Sequence, residues 1–243
     1  MVAQIGFKND KGLRRINNED ACFVVPSDDV YIVADGVGGN NAGEIASRTA
    51  VSMIAAYVKE NPLSGIKDED ELQVYFTDCL EKVNTEIYAL AHKYDENKGM
   101  ATTAVIAYIR DSKAYIVNVG DSRAYLIRGE KISQITEDHT YVNELIKNGI
   151  ITDEEGVRHP KRHIITRALG GDAIIEPDIF RVEIKKDDVL LLCTDGLHSE
   201  ISEGKIVSIV SEAESMTDAC RLLVNAANRS GGRDNITVIC LKI

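Results

Sequence analysis

Tryptophan is absent from the 243 residues, and only four phenylalanines and four prolines occur. A core must therefore be built from Ile, Val, Leu and Ala rather than from large rings. With so little proline, and no Ser-rich or low-complexity run, there is no stretch with the composition of a linker. The first residues contain no apolar signal core, and no apolar run approaches the length that spans a bilayer. Cysteine is scarce and odd in number: Cys22, Cys79, Cys193, Cys220 and Cys240, with no C-x-x-C spacing. That pattern excludes a disulfide framework and favours small buried hydrophobes in a reducing cytoplasm. Basic residues are in deficit, 28 against 39 acids, for a net charge of −11. Such a surface repels phosphate backbones and anionic lipid heads, so no nucleic acid or membrane partner is expected. What remains, 44% hydrophobic residues and no internal repeat of fixed period, suits one domain spanning 1–243.

Within it, one pattern recurs. The apolar run Tyr31-Ile32-Val33-Ala34 ends in Asp35-Gly36, and the run 116–119 leads through Gly120 to Asp121. The run 189–194 leads to Asp195-Gly196, and Asp234 stands just ahead of the apolar run 236–243. Each reads as a buried strand with a carboxylate at one end. Any single Asp-Gly reads as a turn; four at strand ends suggest a shared acidic site. The loop 36–43 is glycine-rich but no nucleotide loop. Gly43 is followed by Glu44 rather than Lys, and Asn41 stands where G-x-G-x-x-G needs its last glycine.

Strands are expected at 2–7, 21–25, 102–109, 114–119, 123–127, 131–135, 179–184, 189–193 and 236–243, and helices at 44–59, 72–94, 202–211 and 217–228. Tight turns at 110–113 and 128–131 make 102–135 an antiparallel meander. Strands arriving in a run, with helices bunched elsewhere, indicate the α+β class. The segment 136–171 is a long insertion with a helical piece at 141–147 and a basic patch at 158–163, suited to a flap or binding loop. His159 and His163 have ligand spacing for a helix, but Pro160 and the missing Glu argue against zinc.

Converging bare carboxylates would repel by about 4 kcal/mol per pair at 4 Å. Such a cluster persists if cations occupy it or protons are shared. Oxygen donors without Cys or His select magnesium or manganese. Two such ions would align and acidify a water for attack on phosphorus. Arg15, on the polar loop 8–20, is suited to binding a phosphate bidentately.

Six segments in order, Arg15 with Asn18-Glu19-Asp20-Ala21, the run 34–39, Thr102-Thr103, the run 119–123, the run 194–197 and the run 232–237, resemble the metal-dependent serine/threonine protein phosphatases (PPM, type 2C) in their compact bacterial form. The resemblance implies a four-layer αββα sandwich of two antiparallel sheets flanked by helices. It implies hydrolysis of phosphoserine and phosphothreonine by direct attack of a water bridging two Mn2+ or Mg2+ ions. By position, Asp35 would bridge the ions, the Gly36 carbonyl would join one, and Asp195 and Asp234 the other. Glu19 and Asp20 would act through water, Asp121 with Asp195 would hold a weaker third ion, and Arg15 would grip the substrate phosphate. The segment 136–171 would be the flap. Animal members carry His where Val37 stands; His139 is the replacement general acid suggested by motif order, beside a purely structural role. The implied partners are phosphoproteins and a eukaryotic-like serine/threonine kinase whose work is reversed, with the enzyme a monomer. Two alternatives stand beside this: a pseudophosphatase acting as a binding module, and a partner-switching phosphatase acting on an anti-sigma-factor antagonist.

Overall fold

Strand β10 (Val189–Cys193) explains why its sequence is apolar at every position. Val189, Leu191 and Cys193 face a core beneath helices, while Leu190 and Leu192 face a second sheet. Strand β5 (Ala104–Arg110) behaves alike: Ala104, Ile106 and Tyr108 meet helices, and Val105, Ala107 and Ile109 meet the opposite sheet. Both faces are buried, so the usual polar alternation disappears.

The structure is a computed structural model describing residues 2, 4–38 and 42–243; Gly39, Asn40 and Asn41 of the glycine loop, like Met1 and Ala3, lie outside the described residues. One antiparallel sheet runs in the order β1 (Gln4–Asp10), β11 (Ile236–Lys242), β10, β7 (Arg123–Arg128), β8 (Lys131–Gln134). The other runs β2 (Asp20–Val25), β3 (Val30–Val37), β5, β6 (Lys113–Val119), β9 (Asp178–Glu183). The short strand β4 (Ala101–Thr102) adds to the end of β3. Helices α1 (Ala42–Glu60) and α2 (Glu69–Lys93) cover the second sheet. The flap holds α3 (Tyr141–Lys147) and α4 (Asp153–Val157). A one-turn helix α5 (Asp195–His198) follows β10, and α6 (Glu203–Glu212) and α7 (Met216–Ser230) cover the first sheet. The layers are therefore α–β–β–α, as the resemblance implied.

Local chemistry accounts for the helices. Ala46, Ala50, Ile54 and Val58 form a stripe of period four on α1, each fully buried. Asp68 caps α2 by accepting the Glu71 N–H at 2.9 Å, and Ser215 caps α7 by accepting the Asp218 N–H at 3.1 Å. Fully burying each Ile or Val of these stripes contributes about 1.5–3 kcal/mol.

Besides ends shifted by a few residues, such as β1 at Gln4–Asp10 rather than 2–7, four features differ from the sequence expectation. The run 102–135 is not one meander: β5 and β6 belong to one sheet, β7 and β8 to the other. The chain changes sheet at 120–122, where Gly120 has φ +105° and a side chain would come within 2.5 Å of Thr103. Asp121 thus sits at the crossover. Strand β3 does not stop at Asp35 but continues to Val37, because Gly36 and Val37 pair with Thr102 and Ala101. The expected strand at 102–109 is broken at Thr103, whose N–H donates to the Asp35 carbonyl at 2.8 Å. Asp195-Gly196 opens the helix α5 instead of a plain turn.

Candidate functional site

Asp20 and Asp35 are cross-strand partners on β2 and β3. Asp20 is buried, and its Oδ2 accepts from the Thr194 hydroxyl at 2.8 Å and the Thr237 hydroxyl at 2.7 Å. Those threonines come from β10's end and from β11, so one carboxylate ties the two sheets together at this rim. The Asp35 backbone is fixed from the other side. Its N–H donates to Thr103 Oγ1 at 2.9 Å, and its carbonyl accepts from Thr102 Oγ1 at 2.8 Å.

Backbones crowd beside it. A Cβ on Gly36 would lie 2.0 Å from the Gly43 carbonyl oxygen and 2.6 Å from that of Glu19, and the Gly36 N–H donates to the Glu19 carbonyl at 3.1 Å. Gly36 and Gly43 thus serve close approach of chain to chain, which fits the non-nucleotide reading of the loop. Asn235 staples the polar loop: its Oδ1 accepts the Glu19 N–H at 2.8 Å, and its Nδ2 donates to the carbonyls of Lys11 and Asn17 at 2.9 Å each. Gly196 lets α5 rest on that residue, since a Cβ there would meet the Asn235 carbonyl oxygen at 1.9 Å.

The electrostatics follow from this packing. Burial first, then the negative charges of Asp195 and Asp234, push the Asp20 carboxyl up to about 7, against the hydroxyl hydrogen bonds that favour its charge. Burial, then neighbouring Asp20, Asp195, Asp121 and Asp234, lifts Asp35 well above the carboxylate range. Asp121 is pushed up to about 7 by burial and then by Asp195, and Asp195 to about 6 by burial and then by Asp234. Glu19 is raised for the same leading reason. Asp35 is thus raised by Asp20, Asp195, Asp121 and Asp234 together, as a carboxyl among gathered carboxylates must be.

Arg15 stands at the mouth, half exposed, with Nη2 2.6 Å from Asp234 Oδ2. Val37 is 43% exposed on the same strand end and offers no proton. His139 is not an available acid. Its ring is buried, Nδ1 accepts the Gly120 N–H at 3.0 Å, and Nε2 faces Asp178 Oδ2 at 3.1 Å. An imidazole that accepts at Nδ1 is neutral, and burial lowers its affinity for a second proton. Its role is to brace the crossover before Asp121. His198, which motif order did not single out, braces the other side: its Nε2 lies 3.1 Å from the Asp121 carbonyl, and burial pushes its pKa down to about 3. Thr103, Thr194, Thr237 and Asn235 stand within the segments that carry the resemblance, but no role was assigned to them there. The available signal was a polar side chain interrupting, or bordering, an otherwise apolar strand.

The residues present suit a hard divalent cation. Asp20 Oδ1 and Asp195 Oδ1 are buried with no hydrogen-bond donor, and a cation is the partner such oxygens lack. The gathered donors are oxygens, without thiolate or free imidazole. Among the described residues, however, no three acidic, His or Cys side chains are grouped tightly enough to enclose an ion by themselves. Backbone oxygen and water must complete any coordination shell, as is usual for magnesium.

The sequence pattern described as protein phosphatase 2C matches residues 11–236. A serine/threonine phosphatase stp of Listeria innocua is 36% identical over 239 residues, 97% of this chain and 94% of the relative. The serine/threonine phosphatase of S. agalactiae has a TM-score of 0.92 at 32% identity, with 99% of each chain covered. The catalytic domain of the serine threonine protein phosphatase PstP, solved with two manganese ions, has a TM-score of 0.84 at 30% identity over 98% of this chain and 97% of that one. Among the described residues no helix is long and apolar enough to cross a membrane.

Proposed function

This chain belongs to the protein phosphatase 2C family, and from that premise we propose that Arg15 and the carboxylates of Asp35, Asp195 and Asp234 hydrolyse phosphoserine and phosphothreonine esters of proteins. The enzyme is a serine/threonine phosphatase, a phosphoric monoester hydrolase. The observation that carries the site assignment is the pair of buried, donorless oxygens on Asp20 and Asp195 within a cluster of buried carboxyls whose affinity for protons is raised.

Two manganese or magnesium ions would be held with Asp35 shared between them, the Gly36 carbonyl on one, and Asp195 and Asp234 on the other. Glu19 and Asp20 would act through water, and Asp121 with Asp195 would hold a weaker third ion. When bound, the metals supply Lewis acidity toward the phosphoryl oxygens and an acidified water as nucleophile. The manganese-bearing relative PstP supports this choice of ion.

The chain's own residues do the rest. Arg15 uses one N–H on Asp234 and keeps its other donors for the equatorial phosphate oxygens. Asp234 in turn fixes the guanidinium plane, so the phosphate meets a preset fork. Thr102 and Thr103 hold the Asp35 backbone, and Asn235 holds the Glu19 backbone, so the main chain that presents these carboxylates is fixed. Val37 leaves the leaving-group side open to solvent, which supplies the proton that an imidazole would give in animal members. The thiols lie on strand and helix interiors and burial raises the pKa of Cys22, Cys79 and Cys193, so a cysteinyl-phosphate route has no nucleophile.

The chain acts as one catalytic domain, 1–243, with the flap at 136–171, as a cytoplasmic monomer opposing a eukaryotic-like serine/threonine kinase. The test is turnover of a phosphothreonine peptide with manganese, with chelator, and in Asp195→Asn. Manganese-dependent release of phosphate, lost in the other two, is expected. Turnover surviving both chelation and the substitution would end the reading.

A further inference from the structure

Helix α2 lays an apolar stripe on the second sheet, and one amide interrupts it: Asn84, 1% exposed, between Val83 and Ile87. A buried amide costs stability unless its donors and acceptor are met. Here the main chain of one short segment meets them. Asn84 Oδ1 accepts the Gly170 N–H at 2.7 Å, and Nδ2 donates to the carbonyls of Asp172 at 2.9 Å and Ala173 at 3.3 Å. One acceptor facing an N–H and two donors facing carbonyls fix which way the amide points. The segment needs such a clamp, because 171–177 forms no helix or strand and Gly171, Asp172, Ala173 and Ile174 are exposed. Gly170 rests directly on the helix, where a side chain would come within 2.3 Å of Ile87.

The residue just ahead of this clamp reaches the site. Leu169 exchanges both backbone hydrogen bonds with Thr102, at 2.8 and 3.0 Å. Thr102 pairs with Gly36, and its Oγ1 donates to the Asp35 carbonyl at 2.8 Å. Leu169 and Thr102 are fully buried, so water cannot replace these bonds. An unbroken path of hydrogen bonds and adjacent residues therefore runs from Asn84 through Gly170, Leu169 and Thr102 to Asp35 and Gly36. Arg15 stands outside this path. Its fork is held by Asp234, and its loop is held by the Gly232 carbonyl, which accepts the N–H groups of Leu13 and Arg14 at 2.8 and 3.1 Å.

We propose that Asn84 is a positioning residue for the metal site: it sets the segment 169–173 so that Leu169 extends the β3–β4 pairing and holds Asp35 and Gly36 in the conformation that receives the cations. The inference rests on the ligation proposed for Asp35 and Gly36, and it adds a residue that none of the six motif segments contains. Asn84 acts through Gly170, Leu169 and Thr102, as partners outside a coordination shell do when they orient the groups within it. An amide with a packing role alone would change stability alone. A positioning amide also sets manganese affinity and turnover, and it leaves the grip of Arg15 on phosphate as it is.

The experiment uses the full chain and manganese. Asn84→Leu nearly keeps the side-chain volume and favours the helix while removing all three hydrogen bonds. Asn84→Asp keeps an acceptor for the Gly170 N–H. Leu72→Ala is the control: buried on the same stripe, twelve residues and about 18 Å back along α2, it loses core packing far from the clamp. Manganese is titrated calorimetrically at a temperature where circular dichroism shows each variant folded. Asn84→Leu is expected to raise the dissociation constant about tenfold, the low end for partners outside the shell. Asn84→Asp should raise it less, and Leu72→Ala should leave it unchanged despite a lower melting temperature. On para-nitrophenyl phosphate at saturating manganese, Asn84→Leu should lower kcat about tenfold and leave KM unmoved. Coupling is reciprocal, so in the wild type manganese should slow amide hydrogen exchange at Leu169 and Gly170. That measurement needs no variant and decides even where Asn84→Leu does not fold. Unchanged manganese affinity in Asn84→Leu, an equal loss in Leu72→Ala, or exchange at Leu169 and Gly170 indifferent to manganese would each overturn the role of Asn84 alone. Absence of manganese binding by the wild type would instead remove the metal-site reading, and the role of Asn84 with it.

Discussion

Asp20 and Asp35 lie directly opposite each other on antiparallel strands, two carboxyls where a sheet ordinarily avoids like charges. The arrangement is tolerable in two ways: with protons on the carboxyls, or with cations between them. The fold supplies hydroxyls for only one oxygen of Asp20, from Thr194 and Thr237, and leaves the other without a donor. A cation bound at this rim would relieve the repulsion between the two carboxyls.

A pH dependence follows for the metal-free protein. An unperturbed Asp titrates at about 3.9, whereas in the folded chain burial pushes Asp20 and Asp121 up to about 7 and Asp195 up to about 6. Folded pKa values above the unfolded ones mean that the folded state binds protons more tightly. The stability they contribute is complete below about pH 4 and is lost as pH climbs through 6 and 7. Asp178, which burial raises but His139 and then Arg167 hold low, and Asp188, which burial raises but Arg128 holds low, act in the reverse sense but only in more acidic solution. With chelator present, the melting temperature should therefore be lower at pH 8 than at pH 5, and manganese should restore it at pH 8. Equal melting temperatures across this interval in chelator would contradict the cluster.

Arg15 makes a second prediction. Its fork is oriented by Asp234 at 2.6 Å and stays accessible to solvent. Hydrogen bonds to charged groups contribute about 1.5–3 kcal/mol each. Arg15→Ala should then lower kcat/KM about 10- to 100-fold, mostly through KM. Arg15→Lys should recover little of it, because an ammonium cannot reproduce the planar fork. Steady-state kinetics on a phosphopeptide decide; recovery by Lys to wild-type KM would show that only charge matters.

His139 yields the opposite kind of effect. Both ring nitrogens are engaged, one with the Gly120 N–H and the other with Asp178, and Asp178 is shared with Arg167 of the flap at 2.9 Å. His139→Leu removes the acceptor and leaves the Gly120 donor buried and unpaired, a cost of about 1–3 kcal/mol. Denaturant unfolding should show that loss. The pH–rate profile should keep its shape, since the imidazole donates no proton to the leaving group. A vanished alkaline limb in the variant would return His139 to catalysis.

How much of this could be read from the chain depends on distance along it. β10 announced itself because both faces are buried and every position is apolar, and the acids at its end and at β3 stood out by contrast. Helices α1 and α2 were legible from one-sided stripes. The change of sheet at 120–122 was not, because a three-residue link between two strands looks the same whether it closes a hairpin or crosses to another layer. Only the left-handed Gly120 hints at it. Contacts across the whole chain were equally hidden: Arg15 with Asp234, Glu19 with Asn235, Asp20 with Thr194 and Thr237. These are set by how two sheets stack, which no local pattern encodes. Resemblance of ordered motifs implied roles for the acids; it contained the threonines and the asparagine that hold them but gave them no role.

The last prediction concerns Gly36, whose neighbours leave no room for a side chain. A methyl group there would stand 2.0 Å from the Gly43 carbonyl oxygen and 2.6 Å from the Glu19 carbonyl oxygen, both backbone atoms. Backbone cannot swing aside as a flexible side chain can, so relief requires α1 or the loop before β2 to move. Overpacking of this kind costs about 1–3 kcal/mol, and more where backbone must shift. The Gly36 N–H to Glu19 carbonyl bond at 3.1 Å would lengthen with it, displacing Glu19 and the carbonyl proposed to face a metal. Gly36→Ala should lower the melting temperature of the chelated protein and also blunt the rise produced by manganese. Gly65→Ala, where an added methyl group would meet nothing within 4 Å, should do neither. A Gly36→Ala protein that melts at a lower temperature yet gains as much from manganese as the wild type would keep the packing argument and remove Gly36 from the metal site.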